Sequence, residues 1–133
     1  MNLFTKAVAD VLEVDSIGLD DAFRDVEGWC SLKAFGLLVM LENDWGAPTP
    51  IERFMQLSTV RDLWREAFTA FAAKVLKVEP SRLSGETRRG SIPEWDSVNH
   101  LRLVMEAEER FGTAYPLERI PALETLDDFL AQE

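Results

Sequence analysis

One pattern occurs twice in this chain, so any fold assigned to it has to be built in two copies. Adding 66 to the residue number pairs Trp29 with Trp95, Ser31 with Ser97, Leu37 with Leu103, Glu42 with Glu108, Trp45 with Phe111 and Gly46 with Gly112. The same offset pairs Pro50 with Pro116, Arg53 with Arg119, Leu57 with Leu123, Thr59 with Thr125 and Asp62 with Asp128, without a gap. Upstream an offset of 64 pairs Phe4-Thr5 with Phe68-Thr69, Ala9 with Ala73 and Val11-Leu12 with Val75-Leu76, so the second copy has two extra residues before its tryptophan. Such self-similarity reads as a tandem duplication, split into domains 1–66 and 67–133, each near the small end of what folds alone.

Each copy has the signals of helices separated by loops. Leu3, Phe4, Ala7, Val8, Val11 and Leu12 recur at i, i+3, i+4 and i+7, the spacing of an amphipathic helix. A long loop follows, rich in the turn formers Asp15, Ser16, Gly18, Asp20, Asp21 and Gly28, and a loop of that length in a small domain invites a functional explanation. The helical pattern resumes at Leu32, Phe35, Leu38, Leu41 and Trp45, and ends at Gly46 with Pro48 beyond it. A short segment over 51–57 and a last helix opened by Ser58-Thr59 complete four helices; the second copy repeats them over 68–77, 98–111, 117–122 and 125–132. The fold class is therefore all-α, two tandem four-helix bundles.

The seam lacks Gly and Pro from Thr59 to Lys77, and Val60, Leu63, Trp64, Ala67, Phe68, Phe71, Ala72, Val75 and Leu76 form one stripe. This predicts one continuous helix over about 59–77, shared by the copies and holding them at a fixed mutual orientation; the alternative is two helices with a kink near Glu66 to Phe68.

Composition narrows the chemistry. The formal net charge is -10, from 24 acids against 14 bases, which disfavours phosphate backbones as partners and suits a basic protein surface. Cys30 and His100 are the only cysteine and histidine, so a disulfide framework, a metal centre of Cys and His, and the usual nucleophile–histidine constellations cannot be assembled in each copy. No catalytic residue and no metal ligand is assigned. The longest uncharged apolar run, Ala34 to Leu41, is far shorter than the ~20 residues of a membrane span, and the start of the chain does not read as a signal peptide. The expectation is a cytoplasmic monomer.

The richest segment lies in the second copy, where the loop ends Ile92-Pro93-Glu94-Trp95-Asp96 and a helix opens at Ser97. The Asp96 carboxylate can accept the backbone N–H of Val98 or Asn99, a contribution of about 1 kcal/mol. Ser97 then sits on the first turn, where unpaired N–H groups and the helix dipole favour a negative group such as a phosphodiester on its hydroxyl.

The stretch Glu94-Trp95-Asp96-Ser97-Val98-Asn99-His100-Leu101 through Glu108-Glu109-Arg110-Phe111-Gly112 resembles the acyl carrier protein family around its Asp-Ser-Leu modification motif. The likeness extends over both halves, through the four-helix layout, the long first loop and the closing Thr125-Leu126-Asp127-Asp128-Phe129. It implies that a phosphopantetheinyl transferase moves the 4′-phosphopantetheine arm of coenzyme A onto Ser97, next to Asp96, and that the arm's thiol carries acyl groups as thioesters. A carrier of this kind has no catalytic centre of its own. Its partners would be acyl-transferring or condensing enzymes with basic docking patches, meeting Val98, Met105 and an acidic rim of Glu106, Glu108 and Glu109; fatty acid, polyketide and related pathways all fit. His100 is read as a surface or helix-packing residue without chemistry.

The first copy departs from this motif. It keeps Trp29 and Ser31-Leu32 but has Cys30 in place of the aspartate, and Cys is a poor N-cap. Its second helix is apolar from Ala34 to Leu41, with Val39 and Met40 widening the stripe. Either Ser31 is modified inefficiently, or the first copy is an unmodified domain whose apolar helix packs on the second copy, an acyl chain or a partner enzyme. Two independent features erode the site and favour the latter.

Other function classes stay in view. A peptidyl carrier of nonribosomal synthesis usually shows Gly-Gly before its serine motif, where Pro93-Glu94-Trp95 stands here. A carrier-like helical adaptor with both serines bare is a further reading. An enzyme built on Asp15, Asp20 and Asp21 ranks below these, since the three acids read more simply as turn and capping residues.

Overall fold

A computed structural model describes residues 2–131. Helices α1 (Leu3–Leu12), α2 (Ser31–Trp45), α3 (Ile51–Phe54), α4 (Val60–Leu76), α5 (Ser97–Phe111) and α6 (Leu126–Leu130) alternate with 3₁₀ turns at Phe23–Asp25, Pro80–Arg82 and Leu117–Ala122. The fold is all-helical; among the described residues the extended pairings are two isolated bridges, Ala22 with Thr59 and Arg88 with Thr125. The chain divides into two compact units, Met1–Ala67 and Phe68–Glu133. Helix α4 is one uninterrupted element over Val60–Leu76, ending before Lys77 at positive φ. The expected last helix over 125–132 is shorter, Leu126–Leu130, and residue 132 lies outside the described residues.

In the first unit the core forms around α1 and α2. Phe4, Val8 and Leu12 are buried from α1, Leu37, Met40 and Leu41 from α2, and Phe23 and Phe54 from the turn and α3. Phe4 meets Trp45 edge-on at 5.2 Å, an arrangement that places the positive ring edge on the negative face. Gly36 lets α1 approach closely, since a Cβ there would stand 3.0 Å from Val11 Cγ1. The long loop is pinned by Arg61 N–H donating to Leu19 O at 2.8 Å and Phe23 N–H to Ser58 O at 3.2 Å.

The second unit is built around aromatic rings. Phe68 stacks on Phe111 at 5.5 Å and meets Phe129 at 5.2 Å, with Trp95, Leu103, Val104 and Tyr115 buried around them. The Tyr115 hydroxyl donates to Phe129 O at 3.1 Å, and burial pushes its phenol up to about 12, so it keeps its proton. Here too the loop is pinned near the last helix, by Asp127 N–H to Gly85 O at 2.9 Å and Arg89 N–H to Glu124 O at 2.6 Å.

Reciprocal caps open the last helix of each unit. Asp128 N–H donates to Thr125 Oγ1 at 3.2 Å while Thr125 N–H and Glu124 N–H donate to Asp128 Oδ2. In the first unit Asp62, Thr59 and Ser58 make the same three bonds. Three backbone N–H groups are satisfied at each site.

Candidate functional site

The pinned loop of the second unit delivers Trp95-Asp96-Ser97 to the start of α5. Asp96 is extended, and its Oδ1 accepts Asn99 N–H at 2.9 Å, one of the two bonds the sequence offered. Ser97 is the first helical residue and is exposed. Asn99 Nδ2 donates back to Glu94 O at 2.8 Å, and Glu94 pairs with Arg82 at 3.1 Å, whose hydrogen bond holds its carboxyl below the usual range. Loop and helix start are thus tied on both sides of the serine.

Sequence reasoning gave His100 no part in this, and left its surroundings undecided. It lies in the core, where its Nδ1 accepts the Trp95 indole N–H at 3.1 Å. An indole nitrogen only donates, so Nδ1 is bare and the proton sits on Nε2, which donates to Ile120 O at 2.9 Å. Burial holds the imidazole below its ordinary value and keeps it neutral. A Trp five residues before a His, across a helix start, was the available signal.

The outer face of α5 carries three apolar side chains. Val98, Leu101 and Met105 are all exposed, Val98 at 70% and Met105 at 60%, while His100, Leu103, Val104, Ala107 and Phe111 face the core. Val98 and Leu101 are therefore not core residues. The three acids also separate: Glu109 is exposed, Glu106 pairs with Arg102 at 3.4 Å, and Glu108 turns aside to accept Tyr115 N–H at 2.9 Å.

In the first unit Ser31 likewise opens a 15-residue helix and is exposed, but no side chain caps α2 at Cys30 among the described residues. Cys30 is itself exposed. Leu32, Phe35 and Val39 extend along the outer face, with Leu32 at 76% exposure and Phe35 at 62%. Ala34 occupies the position of the histidine. The carbonyl corresponding to Ile120 belongs to Phe54, and it accepts Arg24 Nη2–H at 2.8 Å. Arg24 also donates to Leu57 O and lies over the Phe23 and Phe54 rings.

No group of three or more His, Cys, Asp or Glu side chains that could hold a metal occurs among the described residues, and no helix there is long and apolar enough to cross a membrane. An all-helical unit that presents an exposed serine on the first turn of a long helix is the architecture of a carrier-like bundle. Residues 2–65 match the family described as the phosphopantetheine attachment site, which supports a carrier protein. That family carries a covalently attached 4′-phosphopantetheine group, is modified by phosphopantetheinyl transferase and is generally non-catalytic. The match takes in Ser31 and does not extend to Ser97. Neither the curated proteins nor the solved structures yield a match.

Proposed function

We propose that the chain is a tandem acyl carrier, its halves being two carrier domains, with Ser97 as the principal attachment point of the 4′-phosphopantetheine arm. The observation that carries this is the exposed Ser97 hydroxyl at the opening of α5, beside an Asp96 carboxylate that caps the same turn. Ser97 is exposed, and a first helical turn, whose opening N–H groups lack partners within the helix, suits a phosphodiester, so the residues present fit the group. In the transfer, Ser97 Oγ bonds to the coenzyme A phosphorus that bears the pantetheine, the phosphoanhydride bond breaks, adenosine 3′,5′-bisphosphate leaves, and the serine proton passes to a base of the transferase. The bound arm supplies a thiol for thioester chemistry. This chain's part is to hold the serine outward and to present Val98, Met105, Glu106 and Glu109 to acyl-transferring or condensing enzymes with basic patches.

Ser31 is the second reading, favoured by the family match over residues 2–65. Against it stand Cys30, without a capping bond, and the apolar outer face of α2. Incubation of the full chain with a broad phosphopantetheinyl transferase and coenzyme A, followed by intact and peptide mass, separates the cases. The arm is expected on Ser97, is lost in Ser97→Ala and is kept in Ser31→Ala. A chain that gains no mass is an unmodified helical adaptor, and the carrier reading fails.

A further inference from the structure

Three chain segments meet at a buried residue on the same opening turn of α5 as the serine. Trp95 stands in the loop two residues before Ser97, His100 lies three residues after it, and Ile120 belongs to the separate 3₁₀ segment Leu117–Ala122. His100 joins all three segments through one ring, taking a proton donor on Nδ1 at 3.1 Å and giving one from Nε2 at 2.9 Å. The imidazole also stacks beside Trp95 at 6.0 Å and meets Phe129 edge-on at 6.0 Å. A buried ring with both nitrogens engaged has no freedom to rotate without abandoning a buried donor or acceptor.

We infer that His100 is the positioning residue for Ser97, fixing the start of α5 between the incoming loop and the 3₁₀ segment so that the hydroxyl is held outward for the transferase. This rests on the reading of Ser97 as the attachment point. His100 touches neither the serine oxygen nor the arm; it acts through Trp95 and through its own helix turn. The first unit shows the alternative wiring. There Ala34 replaces the histidine, and Arg24, reaching from the loop, takes the Phe54 carbonyl. Loop and α3 are joined, and the opening of α2 is left out of the link. His100 is thus a residue that distinguishes the two serines by geometry, in addition to the missing aspartate at Cys30.

Glutamine and leucine separate positioning from packing. Glutamine offers an acceptor oxygen and a donor nitrogen on one side chain, whereas leucine fills the space and offers neither. Wild type, His100→Gln and His100→Leu are treated with phosphopantetheinyl transferase and coenzyme A, with arm addition at Ser97 followed by peptide mass; amide hydrogen exchange over residues 94–101 is measured on the same unloaded proteins. His100→Leu is expected to lower kcat/KM at Ser97 about tenfold and to speed exchange about tenfold, the worth of two modest hydrogen bonds, and His100→Gln to stay within about threefold of wild type in both. Trp95→Phe, which removes the indole N–H and keeps a ring, is expected to speed exchange as leucine does, and it decides the matter if His100→Leu does not fold. Wild-type loading and exchange in His100→Leu, or in Trp95→Phe where it replaces that variant, overturns the inference, as does a glutamine variant as impaired as leucine. If wild type takes no arm, the carrier reading falls, and the exchange comparison alone decides whether His100 fixes the helix start.

Discussion

Asp96 and His100 act on the same helix start by different physics, and substitution separates them. Asp96→Ala removes one capping acceptor from Asn99 N–H and is expected to cost about 1 kcal/mol, read as a lower melting temperature of the second unit. His100 adds a pH dependence. Burial holds its folded-state pKa below the ordinary 6.5, with the nearby Arg89 adding to the effect. The unfolded chain therefore takes up its proton first as pH falls. Stability is full above about pH 6.5 and declines as pH drops from there through the lower folded-state value. Melting curves between about pH 8 and pH 5 should show that decline in wild type and lack it in His100→Gln, whose side chain does not titrate. A wild-type melting temperature constant over that range would mean that His100 is not held neutral by the fold.

Among the elements, the buried faces of α1 and α4 were legible in the periodicity, as were the helix caps, and the buried face of α5 was not. Thr59 with Asp62, and Thr125 with Asp128, stand at capping spacing in the sequence and form reciprocal caps in the structure. Burial raises the two carboxyls, but the backbone N–H groups of Ser58 and Thr59, and of Glu124 and Thr125, outweigh it and hold both below the usual carboxylate range. The stability they give is present above about pH 3.8 and is lost as pH falls through their lower folded values. Asp62→Ala and Asp128→Ala should each cost about 1 kcal/mol at neutral pH, in the unit that carries them. Conversely, Cys30→Asp should stabilise the opening of α2 by about the same amount and raise arm addition at Ser31, by peptide mass. The core face of α5 was harder to read because two apolar rows coexist on it. Val98, Leu101 and Met105 satisfy helical spacing as well as Leu103, Val104, Ala107 and Phe111 do, and periodicity does not say which row is covered. The buried row also holds a polar residue, His100. Its burial is tolerated because both ring nitrogens find partners, a tertiary fact that local sequence does not carry.

At the scale of the whole chain, the exposed large apolar side chains other than Leu3 and Met55 fall at matching places in both units. Leu32, Phe35, Val39 and Ile51 in the first correspond, at the offset of 66, to Val98, Leu101, Met105 and Leu117 in the second. Surface apolar groups at equivalent positions are what two copies of one docking face would present, and a net charge of -10 would favour basic partners for such faces. Charge and contact should separate kinetically. Exposed acids mostly raise the rate of encounter, an attraction that salt screens beyond about 8 Å at physiological strength, whereas a buried apolar contact mostly slows departure. Raising salt from about 50 mM to about 500 mM should therefore lower kcat/KM for loading of Ser97 severalfold, while leaving kcat nearly unchanged. Glu109→Gln should flatten that salt dependence, and Met105→Ala should leave it intact while weakening the complex by about 1 kcal/mol. A loading rate indifferent to salt would mean that the acid excess serves something other than the approach of basic enzymes.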